Sequence, residues 1–171
     1  MNIKRDEAQQ PFNIIRRAER AKDDAWIRAF LHRVHFGSMA TVHDGQPFIV
    51  TRNFVYDQAA HAIYLHGAVK GRTYENVQAD KRICFSVSEM GQLLSAKSAV
   101  NFGVEYSGVV VFGRANIVTD IAEARHGMQL LLDKYFPHLQ PGEDYEPATD
   151  RDLRNTAVYR IDIESWSGKE K

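Results

Sequence analysis

Apolar residues recur along this chain at two different periods, and the switching between them outlines the fold. From Asp23 to Arg33, Trp26, Ile27, Phe30 and Leu31 fall three and four residues apart behind a pair of acids, which predicts an amphipathic helix. Gly37 to Val42 and Phe48 to Tyr56 then read as strands. They are joined through His43-Asp44-Gly45-Gln46-Pro47, where Asp-Gly tolerates the positive φ angles that a tight hairpin needs. A third strand, His61 to His66, follows Asp57-Gln58-Ala59-Ala60, a connection short enough for another antiparallel return.

Beyond that meander the pattern alternates. Tyr74 to Lys81 has helical composition, Arg82 to Ser88 gives a fourth strand, and Gly91 to Gly103 is a long connection of small residues. Val104 to Val118 contains Tyr106-Ser107-Gly108-Val109-Val110-Val111-Phe112-Gly113-Arg114-Ala115, apolar on both faces at its centre. Such a strand needs the core on one side and another cover on the other, for which a second subunit is the natural candidate. Helical spacing returns from Asp120, a plausible cap, to Phe136, through Ile121, Ala124, Met128, Leu131, Leu132 and Tyr135, and Pro137 ends it. Pro141 to Asp152 reads as an acidic loop, and Thr156 to Ile163 alternates as a last strand. Connections this short exclude parallel crossovers among the first three strands. The class is therefore mainly β (α+β), an antiparallel barrel, closed or split, with flanking helices.

Composition narrows the setting. A chain of 171 residues fits one domain and can bury a core without metal or disulfides. With 22 Lys plus Arg against 22 Asp plus Glu, no broad field recruits nucleic acid or an anionic membrane, so any anion site is local. The single cysteine, Cys84, lies in the apolar run Ile83-Cys84-Phe85-Ser86-Val87. It reads as a small packed residue, the alternative being a reactive thiol in an electropositive setting that this strand does not suggest. Met1 to Arg20 is charged throughout and holds no apolar stretch long enough for a signal peptide or a membrane span, so a cytoplasmic location is the expectation. Of the seven histidines, His32 and His35 lie three apart but have no further ligand in register, which argues against zinc.

The local anion site is expected in Tyr64-Leu65-His66-Gly67-Ala68-Val69-Lys70-Gly71-Arg72-Thr73. A β-prone run ends there in a small-residue turn with two cations, just where a helix begins and its free N–H groups point outward. Arg72 could grip phosphate oxygens in bidentate fashion and Lys70 would add a point charge, although two basic residues in a surface turn can equally be merely solvated. His66, polar at the end of an apolar strand, could donate to the same anion or serve as a satisfied structural histidine. Thr51 and Asn53 lie two apart on a strand and share a face, which is either a ligand face or a solvated one, whereas Arg52 faces the opposite way.

The segments Arg16-Arg17-Ala18-Glu19-Arg20-Ala21, Asp44-Gly45-Gln46-Pro47-Phe48, Tyr64-Leu65-His66-Gly67-Ala68 and Val109-Val110-Val111-Phe112-Gly113-Arg114-Ala115 resemble, in order and separation, the flavin-nucleotide-binding branch of the pyridoxamine 5′-phosphate oxidase-like superfamily. The chain is also similar to the nitroimidazole-resistance (Nim) proteins. The resemblance runs from about residue 14 to Trp166-Ser167-Gly168-Lys169. It implies an N-terminal extension over residues 1–20 and an FMN-binding split β-barrel over 21–171. It further implies a homodimer with FMN at each end of the subunit interface. Carried over by position, Thr51, Arg52 and Asn53 correspond to ring-side and ribityl-side contacts. Leu65 and His66 correspond to the strand end beside the phosphate, and Gly71, Arg72 and Thr73 to the phosphate turn. Tyr106 and Ser107 would approach from the second subunit. Trp166 would lie near the ring, or cover the core as a terminal aromatic does.

Two departures shape the functional expectation. Nim proteins often carry a histidine where this chain has Arg72, and a guanidinium, with a pKa above about 12, binds anions but delivers no proton. Only Lys169 and Lys171 follow Trp166 as basic residues, so the basic segment expected for pyridoxamine phosphate oxidation is absent. No catalytic triad, Walker loop or Rossmann fingerprint appears, and no catalytic residue is assigned. The expectation is an FMN-dependent oxidoreductase passing hydride or electrons between a reduced nicotinamide and a small acceptor, with the chemistry carried by the cofactor. The alternatives are a flavin store or redox sensor without turnover, or the same barrel holding haem or a deazaflavin.

Overall fold

Asp23 starts the first helix, its carboxylate accepting the Trp26 N–H at 2.8 Å, and α1 runs over Asp24–Arg33. The computed structural model describes residues 13–171, so most of the expected N-terminal extension, residues 1–12, lies outside it. A two-residue strand β1 (Ala21–Lys22) precedes α1. The sheet then adds β2 (Phe36–His43), β3 (Gln46–Asn53), β4 (Val55–Asp57) and β5 (Ala62–Ala68). After α2 (Arg72–Ala79) come β6 (Arg82–Leu94) and β7 (Gly103–Ile117). α3 (Ile121–Tyr135), the short α4 (Asp150–Arg154) and β8 (Thr156–Glu170) complete the chain.

The strands form one antiparallel sheet in the order β3-β2-β6-β7-β8-β5-β4, with β1 beside β8. This is a split barrel. β3 and β4 stand at opposite ends of the hydrogen-bonded order yet are consecutive in sequence, so the wall closes through the covalent corner at Phe54 and not through a ladder. Phe54 is fully buried, and its N–H and C=O both lie 3.0 Å from the Tyr135 hydroxyl of α3, which also reaches the His35 carbonyl. The phenol accepts from the Phe54 N–H and shares its single proton between the Phe54 and His35 carbonyls, at a corner whose backbone groups have left the sheet. The strand predicted over Phe48 to Tyr56 is broken by this corner, a decision made by Tyr135 from far along the chain.

Two apolar clusters hold the fold. Inside the barrel, Ile27, Phe30 and Leu31 of α1 plug the space lined by Met39, Phe85, Val111, Leu65, Tyr159 and Ile161, among others. Outside, α3 packs Ala124 and Leu131 on Val55, Ala62, Tyr64 and Val158, covering the outer faces of β4, β5 and β8. Each fully buried Leu, Ile or Phe of this kind contributes about 1.5–3 kcal/mol. Gly127 lets α3 approach, since a Cβ there would sit 2.7 Å from the Tyr64 ring.

α3 is also tied to α1. The Lys134 ammonium donates to the carbonyls of Leu31 (3.2 Å) and Val34 (2.7 Å), at the C-terminal end of α1, and lies 4.1 Å from the centre of the Phe54 ring. Burial lowers its pKa to about 8, so desolvation takes back part of what these contacts contribute. Lys134→Met leaves both carbonyls without this donor, and the expected cost is about 1–2 kcal/mol, read as a lower urea midpoint.

Three boundaries differ from expectation because their reasons are tertiary. β6 continues to Leu94 and β8 to Glu170, since each finds β7 as a partner beyond its alternating stretch, through a register shift between Met90 and Leu93 and another between Phe112 and Gly113. The expected acidic loop ends in α4, capped reciprocally by Thr149 and Asp152. No helix among the described residues is long and apolar enough to cross a membrane.

Candidate functional site

β5 ends at Ala68, and the chain turns through Val69, Lys70 and Gly71 into α2. Gly71 is the residue before the helix and adopts φ 99°, ψ 177°, a conformation left essentially to glycine. It offers no side chain to cap the first turn, so the leading N–H groups of α2 stay free to meet a ligand. α2 is anchored from below. Thr73, Asn76 and Val77 are buried, and the Asn76 amide donates to Thr41 Oγ1 at 2.9 Å.

Charge at this corner is uncompensated. Lys70 and Arg72 are exposed and make no hydrogen bond or ion pair among the described residues. Arg52 crosses the split of the barrel from β3, its Nη1 donating to the His66 carbonyl at 3.0 Å and its Nη2 lying 3.5 Å from Thr73 Oγ1, with its Nε buried and unpaired. Gly67 makes room for it, since a Cβ there would stand 2.7 Å from Nη1. Three cations thus gather at the N-terminus of α2 without a carboxylate partner among the described residues, opposed only by the exposed Glu75 of the first turn. Burial first, and then Arg52, push the His66 pKa down, so the imidazole is neutral at pH 7 and offers one donor and one acceptor.

Thr51 and Asn53 lie on the exposed outer face of β3, on the opposite side from Arg52, as the strand period requires. Thr51 Oγ1 is 2.8 Å from Ser38 Oγ, its register partner on β2, and Ser86 continues the same polar row on β6. Leu65 is fully buried in the barrel, so only its backbone can face the turn. Arg52 thus reaches His66 and Thr73 across the split, Lys70, Gly71 and Arg72 follow in the turn into α2, and Asn53 shares a cavity with His66, while Thr51 faces outward beside Ser38.

Tyr106, Ser107 and Trp166 are placed elsewhere in the chain. Tyr106 begins the outer part of β7, where its hydroxyl accepts from Arg20 at 3.2 Å and Lys169 lies over its ring. Ser107 donates to Glu170 at 3.1 Å. From Tyr106 to Ile117, which stands across Tyr159 of β8 from Leu65, is roughly 36 Å of strand. Trp166 donates to Asp24 Oδ1 at 2.8 Å and packs edge-on against His61, whose ring centre is 4.6 Å away. His61 immediately precedes β5, roughly 16 Å along the chain from His66. Around Tyr106, a cavity of about 330 Å³ opens on the outer sheet face between Ile14-Ile15-Arg16 and Ser86, Val110 and Ser167.

Two features escaped the sequence. Ser38 gave no signal, because its value lies in facing Thr51. A second cavity, of about 190 Å³, lies between Asn53 and His66 on one side and Met128, Leu132, Tyr135 and Phe136 of α3 on the other. A faint trace exists in the apolar arc of Asp120 to Phe136, which is wider than the stripe needed to cover β5. The outer face of β2 and β3 and the β6–β7 hairpin also expose Phe36, Ile49, Met90, Leu93 and Phe102.

Residues 23–170 match the sequence profile of the family described as pyridoxamine 5′-phosphate oxidase. No curated protein matches the chain. Among solved structures, the flavocytochrome Anf3 from Azotobacter vinelandii is similar at 26% identity and a TM-score of 0.79, over 92% of this chain and 72% of that one. An FAD-binding protein from Mesorhizobium loti is similar at 26% identity and a TM-score of 0.63, over 89% and 97%. A Bacteroides thetaiotaomicron protein named for 5-nitroimidazole antibiotic resistance shares the fold at 19% identity and a TM-score of 0.71, over 88% and 86%.

Proposed function

This chain belongs to the pyridoxamine 5′-phosphate oxidase family, and on that premise we propose that it is a flavoprotein that holds the FMN portion of its cofactor at the α2 corner and uses it as an oxidoreductase. The observation that carries the reading is the uncompensated charge of Lys70, Arg72 and Arg52 around a helix start that Gly71 leaves uncapped. Flavins named for two of the similar structures point the same way.

In this reading the flavin phosphate sits on the first-turn N–H groups of α2, between Lys70 and Arg72, and the Thr73 hydroxyl holds Arg52 at the rear. Thr51, paired with Ser38, and Asn53 line the ribityl side. A bound flavin supplies two-electron exchange with a hydride donor such as a reduced nicotinamide and with a small acceptor. The protein binds, orients and keeps water away. Arg72 stays charged throughout and moves no proton, while neutral His66 can hold one on either ring nitrogen. A second copy of the chain completes the site, covering the exposed apolar side chains of β2, β3 and the β6–β7 hairpin and bringing Tyr106, Ser107 and Trp166 to the ring.

Titrating the purified chain with FMN under anaerobic conditions tests this. Saturable quenching of flavin fluorescence, bleaching by NADH or NADPH and recovery with a quinone or nitroaromatic are the expected results. Binding without bleaching would leave a flavin store, and no binding would end the proposal.

A further inference from the structure

The cavity of about 330 Å³ on the outer sheet face shares no lining residue with the α2 corner. Its floor is made by three paired strands: Ser86, Val110 and Ser167 stand side by side in register, and Ser88, Gly108 and Lys169 form the next row. Gly108 has no side chain, so that row is low at its centre. The roof is the segment Ile14-Ile15-Arg16, pinned at both ends, where Asn13 donates to the Trp166 carbonyl at 3.3 Å and Arg20 to the Tyr106 hydroxyl at 3.2 Å. A slot between a sheet and two isoleucines admits a flat body. Its volume lies at the lower end of the roughly 300–1,000 Å³ of ligand pockets and is about twice the roughly 150 Å³ that takes benzene, so a small ring system fits.

Charge selects what that ring carries. Arg16 and Lys169 line the cavity and no carboxylate does. Arg16 is exposed and makes no hydrogen bond or ion pair among the described residues, while Glu170, the acid next to Lys169 in sequence, is taken up by Lys22 and Ser107. Lys169 first, and then Arg20, hold the Tyr106 pKa below its ordinary value, which marks the local potential as positive. Backbone donors are spent, since β7 is paired with β6 on one side and β8 on the other at these positions. An anion must therefore be held by side chains. Those available are the planar fork of Arg16, the Lys169 ammonium and the hydroxyls of Ser86 and Ser167, which make no side-chain hydrogen bond among the described residues. That set suits the two coplanar oxygens of a carboxylate. We propose that this cavity binds a small flat aromatic carboxylate, its ring between Ile14-Ile15 and the Gly108 and Val110 floor and its charge on Arg16 and Lys169. The inference goes beyond the flavin reading and does not rest on it.

Calorimetric titration of the full chain with benzoate, and with benzamide as its uncharged counterpart, tests this. Saturable binding of benzoate is expected, at least about tenfold tighter than that of benzamide, because a hydrogen bond to a charged group is worth a decade or more. Arg16→Gln combined with Lys169→Gln should remove that preference. Ser86→Leu, which fills the floor, should weaken both ligands, with an unchanged far-ultraviolet circular dichroism spectrum showing that it is folded. Arg72→Ala should change neither. Absence of benzoate binding by the wild type overturns the proposal, as does benzamide binding of equal strength or a preference for benzoate that survives the double substitution. Unaltered binding by folded Ser86→Leu overturns it as well. Loss of benzoate binding in Arg72→Ala would place the anion at the α2 corner and overturn this site while leaving the flavin reading intact.

Discussion

Arg72→Ala is expected to weaken flavin binding by about 2–4 kcal/mol, the range for removing one member of a charge pair that the bound ligand desolvates. At about 1.4 kcal/mol per decade, that is a loss of roughly 30- to 1,000-fold in Kd. The effect is large because nothing else replaces this guanidinium. Lys70 is a point charge on a flexible stem, and Arg52 is already engaged by the His66 carbonyl. Stability should hardly change, since the Arg72 side chain is exposed and makes no hydrogen bond or ion pair among the described residues. Flavin titration with a parallel urea melt separates the two quantities. An unchanged Kd would mean that the phosphate is bound elsewhere.

Gly113→Ala is expected to cost about 3 kcal/mol of stability, at the upper end of ordinary overpacking. A Cβ at Gly113 would come 2.2 Å from the backbone carbonyl oxygen of Asp162, and backbone, unlike the end of a long side chain, has nowhere to swing. The position is the register shift where β7 passes from Ser165 to Ile163 of its neighbour β8. That shift re-aims the rest of β8 along β7 as far as Glu170. The measurement is a urea midpoint, expected to fall with its slope unchanged. A midpoint equal to the wild type would show that β7 and β8 do not approach this closely.

The two substitutions differ in how visible they were. Arg72 stands out in the sequence because a cation beside a glycine, between an apolar strand and a helix, has a local physical meaning. Gly113 sits inside an apolar strand, where a glycine signals a close approach without saying to what. Ser38, Tyr135 and Phe136 carry no signal of this kind.

What the linear chain determined by itself is what short-range physics controls. Spacing placed α1 and α3, Asp44-Gly45 made the hairpin, and the period of two set Thr51 and Asn53 opposite Arg52. Residues 65 to 73 were legible as a strand, turn and helix start with excess positive charge. Tertiary structure alone decided how the barrel closes, because the corner at Phe54 needs a hydroxyl from Tyr135, 81 residues away. It alone brought Arg52 across the split to His66 and set α3 against β5 so that a cavity remained. Those contacts join segments that no local pattern relates, and their energies exist only once the chain has folded.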